Sequence, residues 1–232
     1  MRNEDIAVIR GIPLFSELGD EHFDSLFKMA YLQQFPPRLQ LVTEGDPADF
    51  LHIIVEGAAE LFGSSNDREA TMFVLRPFTA FNLSAVLEDS NYLMSVRTLS
   101  KARILMIPAA NIRELMKINP SFASSLVTEL AKRYRVVIRA FKELRLRSGI
   151  GRLANYLLRA NEQATKRGQI ELTEDKRTLA ALLSMTPEYL SRAFTSLRKY
   201  GVEVHGNKIL LKNLVALNRL AQPNPLIDRR EV

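Results

Sequence analysis

The feature that most limits how this chain folds is a change of hydrophobic period at Pro108. From Tyr31 to Ile107 apolar and β-branched residues come in short runs: LQLVT, FLHIIVEG, AAELFG, TMFVLR, LMSVRT and ARILMIP. Turn residues part them at Pro36-Pro37, Gly45-Asp46-Pro47, Gly57, Gly63 to Asp67, Pro77 and Glu88 to Asn91. Many short strands at regular spacing predict an antiparallel barrel, sandwich or jelly roll. Beyond Pro108 the period becomes about 3.6, the repeat of an amphipathic helix. The chain therefore reads as α+β, with an antiparallel β-roll of double-stranded jelly-roll type first and helices after it. Two short helices, Glu4 to Arg10 and Asp20 to Ala30, are predicted to lead into the roll.

Asn119-Pro120 opens a long helix, Ser121 to about Arg147, because proline suits the first helical position. Along it Ala123, Val127, Leu130, Tyr134, Val137, Phe141 and Leu144 recur at alternating steps of four and three, an unbroken a/d seam. A second stripe, Phe122, Leu126 and Ile138, is expected to cover the strands. Two stripes imply two partners, so the seam is assigned to a second copy of the chain; the alternative is packing within one monomer. Ser148-Gly149-Ile150-Gly151 is predicted to end this helix and form a hinge. The expected divisions are residues 1–119 for the roll, 120–147 for the dimerisation helix and 148–232 for a winged helix-turn-helix.

Within the last division, helices are predicted over Arg152 to Gln163 and Thr173 to Leu183, the latter opened by Thr173, Glu174 and Asp175, with Gly168 to Leu172 extended between them. A tight turn at Ser184-Met185 leads to a helix from Thr186 to Tyr200, with Thr186 as N-cap and Pro187 at its first position. Gly201 ends it, VEV-HGNK-ILL folds back as a hairpin at Gly206-Asn207, and the tail after Pro223 is expected to be poorly ordered. Ala180, Ser184 and Leu190 fill the small, small and aliphatic positions a helix-turn-helix needs, over a core of Leu179, Leu183, Ala193, Phe194 and Leu197. The outer face is left with Thr186, Glu188, Tyr189, Ser191, Arg192, Thr195 and Ser196, residue types that read base edges. Arg198, Lys199 and Lys208 are placed on phosphates.

Charge supports that partner. Residues 1–144 hold 16 Lys and Arg against 18 Asp and Glu, a balance of −2, whereas residues 145–232 hold 16 against 8, a balance of +8. A basic half points to a phosphate-bearing partner such as double-stranded DNA, or else to a solvated basic surface. The absence of cysteine removes disulfides, thiolate zinc sites, iron–sulfur clusters and cysteine nucleophiles. The first residues lack a long apolar core, which predicts neither signal peptide nor membrane anchor and a cytoplasmic protein. Of the three histidines only His52 falls in the roll, with His22 in a lead helix and His205 in the wing, so no cupin-like metal cluster is expected. No Gly-rich phosphate loop, GxSxG elbow or paired-carboxylate motif appears, so no enzyme is expected.

Taken together, VTEGDPADFLHIIVEGAAELF and SMTPEYLSRAFTSLRKYG resemble the CRP/FNR family of bacterial transcription regulators, across nearly the whole chain. In the first segment Gly45, Asp46 and Gly57 stand at the turns of a cyclic-nucleotide-binding roll. In the second, Glu188, Ser191 and Arg192 match the Glu-x-x-Ser-Arg recognition helix. The resemblance implies a homodimer on a pseudo-palindromic operator with TTGAT half-sites, base contact through those three residues, and RNA polymerase as a partner if the protein activates. It also implies where an effector sits, and there the sequence departs. The family's Phe-Gly-Glu and Arg-Ser/Thr cassette, which holds the ribose and cyclic phosphate, is replaced: Phe81 is followed by Asn82-Leu83, and Tyr92-Leu93 stand where Arg-Ser is expected. Without that charge partner cyclic AMP is not the expected effector. Arg97 is the remaining candidate cation in this weak pocket, and its strand position leaves open whether it points inward. The effector is unassigned. Haem, used by some family members, stays open through His52, and a ligand-binding module acting through protein partners is the alternative function.

Overall fold

The computed structural model describes residues 3–66, 68–172 and 175–228. The chain divides into two compact units, Met1–Lys132 and Arg133–Val232. In the first, α1 (Asn3–Arg10) and α2 (Asp20–Lys28) precede eight strands: β1 (Tyr31–Phe35), β2 (Gln40–Val42), β3 (Phe50–Glu56), β4 (Ala59–Ser65), β5 (Arg68–Leu75), β6 (Ala80–Phe81), β7 (Ser95–Thr98) and β8 (Ala102–Pro108). A short helix, α3 (Leu83–Glu88), interrupts them after β6. α4 (Ala109–Ile118) and α5 (Pro120–Leu146) follow.

The strands form two four-stranded antiparallel sheets, ordered β1-β8-β3-β6 and β2-β7-β4-β5. Strand β3 is buried from Leu51 to Val55 without alternation. A strand reads as a continuous apolar run when both of its faces are covered, and here α4 packs against β3 and β8. Gly57, between β3 and β4, has φ +83°, and a Cβ there would lie 2.3 Å from the Lys101 carbonyl oxygen. Only glycine fits this turn.

Phe122 and Leu126 of α5 are fully buried against the roll, and Leu130 packs partly on the same core. Ile138, expected to continue that stripe, is 39% exposed, so the covering face stops about three turns into the helix.

The second unit contains α6 (Gly149–Gln163), β9 (Gln169–Glu171), α7 (Lys176–Leu182), α8 (Pro187–Leu197), a 3-10 turn (Arg198–Tyr200), β10 (Val202–His205), β11 (Lys208–Leu211), α9 (Leu214–Ala221) and α10 (Pro225–Asp228). The strands form one sheet ordered β10-β11-β9, with the hairpin paired from Val202↔Leu211 to His205↔Lys208. Leu153, Leu157, Leu179, Leu190, Leu197, Val202, Ile209 and Leu217 make its core.

Two expectations are corrected here. Gly149, Ile150 and Gly151 are helical, forming the first turn of α6, because the Ser148 hydroxyl caps it by accepting from the Gly151 N–H at 3.2 Å. The segment 224–228 is ordered: α10 is held by ion pairs on Asp228. Asp175 caps α7 by accepting from the Thr178 N–H at 2.7 Å. The other expected start signals, Thr173 and Glu174, lie outside the described residues.

Candidate nucleic-acid interface

The turn between α7 and α8 is built by backbone bonding. Ser184 takes a left-handed conformation, φ +51°, and donates its N–H to the Ala181 carbonyl at 2.9 Å, while the Met185 N–H reaches the Ala180 carbonyl at 2.9 Å. This is the paired closure that ends a helix in a Schellman motif, with serine where glycine is usual. The carbonyls left over at the turn are taken by one guanidinium. Arg152 of α6 donates to the Leu183 carbonyl at 2.8 Å, to the Ser184 carbonyl at 3.1 Å and to the Arg147 carbonyl at 2.9 Å. A cation at helix C-terminal carbonyls is favourable, and this one also ties the turn to the end of α5. Ala180 and Leu190 are buried, as are Leu179, Leu183, Ala193, Phe194 and Leu197.

α8 starts from Thr186, whose hydroxyl accepts from the Tyr189 N–H at 3.2 Å, with Pro187 at the first position. Its outer face is exposed at Thr186, Glu188, Tyr189, Ser191, Arg192 and Thr195. Hydrogen bonds from its own N–H and the Thr186 hydroxyl hold the Glu188 carboxyl below the usual range, with Arg192 adding to the effect. Glu188 is thus an anionic acceptor beside a cationic donor one turn on. Thr195 and Ser196 donate their hydroxyls back to the Ser191 and Arg192 carbonyls at 3.1 and 3.0 Å. Those two hydroxyls are engaged in the helix itself. Arg198 and Lys199 are exposed just past α8, and Lys208 is exposed on the hairpin.

Tyr189 stands apart from its neighbours. Its ring covers Gly149 so closely that a Cβ on Gly149 would meet Tyr189 Cε1 at 2.5 Å. The Arg192 guanidinium lies 5.9 Å from the Tyr189 ring centroid. The ring therefore seats the start of α8 on the start of α6, a job that its expected place on the groove-reading face did not reveal.

The residues of the weak effector pocket have different surroundings. Leu83 and Tyr92 are buried in the roll, with the Tyr92 hydroxyl donating to the Phe50 carbonyl at 3.1 Å, while Leu93 is 77% exposed. Asn82 precedes α3 with φ +59°, and its Nδ2 is buried without a partner. Arg97 lies over the Phe62 ring at 4.4 Å, and its guanidinium is 2.8 Å from Glu60 and 3.1 Å from Glu69. Two carboxylates already answer its charge. His52 is 4% exposed and stacks on Phe81, with centroids 5.1 Å apart and planes 14° from parallel. The ring packs among Phe50, Phe81 and Tyr92, and its Nδ1 is buried without a hydrogen-bond partner. Among the described residues no cluster of three or more His, Cys, Asp or Glu is placed to hold a metal.

Of the seam residues, Val127, Tyr134, Val137, Phe141 and Leu144 are 46–67% exposed, while Ala123 and Leu130 are half-buried. No helix of the described residues is long and apolar enough to cross a membrane.

Comparison with known proteins places these features. Residues 32–119 match the cyclic nucleotide-binding domain family and residues 151–220 the Crp-like helix-turn-helix domain family. A CRP-like cAMP-activated global transcriptional regulator of Mycobacterium tuberculosis is 22% identical over 215 residues, covering 90% of this chain and 96% of the relative. The structure of FixK2 from Bradyrhizobium japonicum is similar with a TM-score of 0.69 at 20% identity, over 82% of this chain and 96% of that one. That of CLP, a c-di-GMP responsive global regulator of Xanthomonas campestris, has a TM-score of 0.71 at 17% identity, over 83% and 99%. With a roll of the nucleotide-binding type in one unit and a Crp-like helix-turn-helix in the other, this chain belongs to the CRP/FNR family of transcription regulators.

Proposed function

We propose that the protein is a cytoplasmic homodimer that binds a pseudo-palindromic DNA operator through α8, and that its roll does not answer to cyclic AMP. The observation that carries this reading is the face from Thr186 to Arg192: polar, exposed, capped at its N-terminus and flanked by exposed Arg198, Lys199 and Lys208. Glu188 suits cytosine N4, Arg192 suits guanine O6 and N7, and Ser191 adapts to either. The lysines and Arg198 serve phosphates and set register. The exposed seam on α5 supports pairing of two such chains, which delivers two reading helices to half-sites one turn apart.

The effector part rests on Arg97. A cyclic phosphate needs a free bidentate cation, and Glu60 and Glu69 occupy this one. The Mycobacterium tuberculosis relative is named for activation by cAMP and the Xanthomonas campestris protein for response to c-di-GMP. This chain's cassette carries Asn82-Leu83 and Tyr92-Leu93 instead of the residues that bind a cyclic phosphate. RNA polymerase is a further partner if the bound protein activates.

Selection from random duplexes tests the reading. The expected product is a two-fold-symmetric site with TTGAT-like half-sites, unaffected by cyclic AMP. Arg192→Ala is expected to cost about 1–3 kcal/mol per half-site and relax sequence preference, whereas Lys199→Ala weakens all sequences alike and flattens the salt dependence. Unchanged affinity and preference in Arg192→Ala would remove α8 from the bases. Enrichment without symmetry would favour a ligand-binding module working through protein partners.

A further inference from the structure

Four charged side chains meet across the joint between α5 and α6. Glu143 lies in the last turn of α5, Arg147 follows four residues later just past its end, Arg159 comes from α6, and Asp228 ends α10. Arg147 grips Asp228 with two guanidinium contacts, 2.7 and 2.5 Å. Arg159 bridges the two acids, 2.7 Å from Asp228 and 3.1 Å from Glu143, and Arg147 lies 3.3 Å from Glu143. The second Asp228 oxygen also accepts from the Asn224 N–H at 2.7 Å, closing α10 on itself. The four side chains are only 9–19% exposed.

A largely buried ion cluster of this kind adds little net stability over apolar packing, yet losing one member leaves an unpaired charge. Such a cluster is better suited to fixing one arrangement than to strengthening a core. Its location says which arrangement. Between Leu146, where α5 ends, and Gly149, where α6 begins, lie only Arg147 and Ser148. One carboxylate, from outside both helices, reaches a guanidinium within that joint and another on α6, while Glu143 ties Arg159 to the last turn of α5. Asp228 also lies beyond residue 220, where the match to the helix-turn-helix family stops.

We propose that the segment Asn224–Asp228 is a latch that sets how α8 is presented: by seating Asp228 between Arg147 and Arg159 it fixes α6, and through α6 the recognition helix, against the last turns of α5. Arg152 and the Tyr189–Gly149 contact carry the constraint from α6 to α8. Asp228 is a positioning residue. Burial pushes its carboxyl up, but hydrogen bonds from Arg147, the Asn224 N–H and Arg159 outweigh that and hold it below the usual range. The carboxylate is therefore charged, and the latch closed, throughout the neutral range.

The role in presentation rests on the DNA reading proposed above; the mechanical role does not, and the test separates them. Hydrogen exchange of the full-length protein is followed residue by residue in Asp228→Asn, which keeps the shape and removes the charge. The hydrogen-bonded amides of Arg147, Gly151 and Arg152 are expected to exchange at least tenfold faster, with those of β3, β8 and the core of α8 unchanged. On the operator selected for the parent protein, affinity is expected to fall about fivefold with sequence preference retained. If Asp228→Asn does not fold, Arg159→Lys is read in its place. Unchanged exchange at the joint overturns the latch. So does faster exchange spread through the whole C-terminal unit, which is the mark of lost stability alone, and so does a loosened joint with unaltered operator affinity. Should the parent protein select no operator, the DNA proposal fails by itself and exchange at the joint decides the latch.

Discussion

His52 shows how one side chain in the roll couples the fold to acidity. Burial lowers its pKa from 6.5 to about 4, against a smaller upward push from a hydrogen bond to the Phe50 backbone, and its Nδ1 has no partner. The unfolded chain takes up a proton near pH 6.5, and the folded chain resists until about pH 4. In that window the unfolded state binds more protons, so the stability present above pH 6.5 is lost as pH falls toward 4. Urea unfolding is expected to show about 2 kcal/mol less stability at pH 5 than at pH 7 from this residue alone. His52→Phe should abolish that share of the loss; a variant as acid-sensitive as the parent would assign the effect elsewhere. Little of this is written locally. The histidine's place in a strand was legible, but its burial comes from Phe50, Phe81 and Tyr92 packing around the ring, two of them from 29 and 40 residues further along the chain. The same holds for Arg97, whose partners Glu60 and Glu69 lie on β4 and β5, 37 and 28 residues away.

At the scale of elements, legibility follows the range of the causes. The long helix was readable to within a residue or so at each end, because proline at its start and the seam along it are local signals. The cap at Thr186 and the buried face of α8 were readable for the same reason. α3, only six residues long, looks like another apolar strand segment, and α10 is held chiefly by arginines 69 and 81 residues away. The glycines at 149 and 151 read as a break, yet they are the start of α6. Gly149 serves there because Tyr189 leaves no room for a methyl group. Gly149→Ala is expected to change stability by less than about 1 kcal/mol, since alanine favours helix and the ring swings outward. Operator affinity should nevertheless drop several-fold, and Tyr189→Ala in the same chain should recover part of the loss. Simple additivity in this double-mutant cycle would show that the two positions do not act on each other.

For the whole molecule, the unpaired seam and the charge division belong to one scheme. Val127, Tyr134, Val137, Phe141 and Leu144 leave a row of large apolar groups in water, a surface that invites a partner. In the proposed dimer these rows pair, which relates the two basic C-terminal units by a two-fold axis, the symmetry of a palindromic duplex. Val137→Asp combined with Phe141→Asp is expected to yield a folded monomer by sedimentation, with operator binding lost at concentrations where the parent is saturated. A double variant that still sediments as a dimer places the contact on another surface. The Tyr189–Gly149 fit bears on how such a regulator changes targets. On the proposed DNA reading, a helix exchanged for α8 brings its own residue at position 189, and a large one there sits in its present place only over a glycine at 149. A swap confined to α8 is therefore expected to present its outer face at an altered angle unless position 149 is exchanged with it.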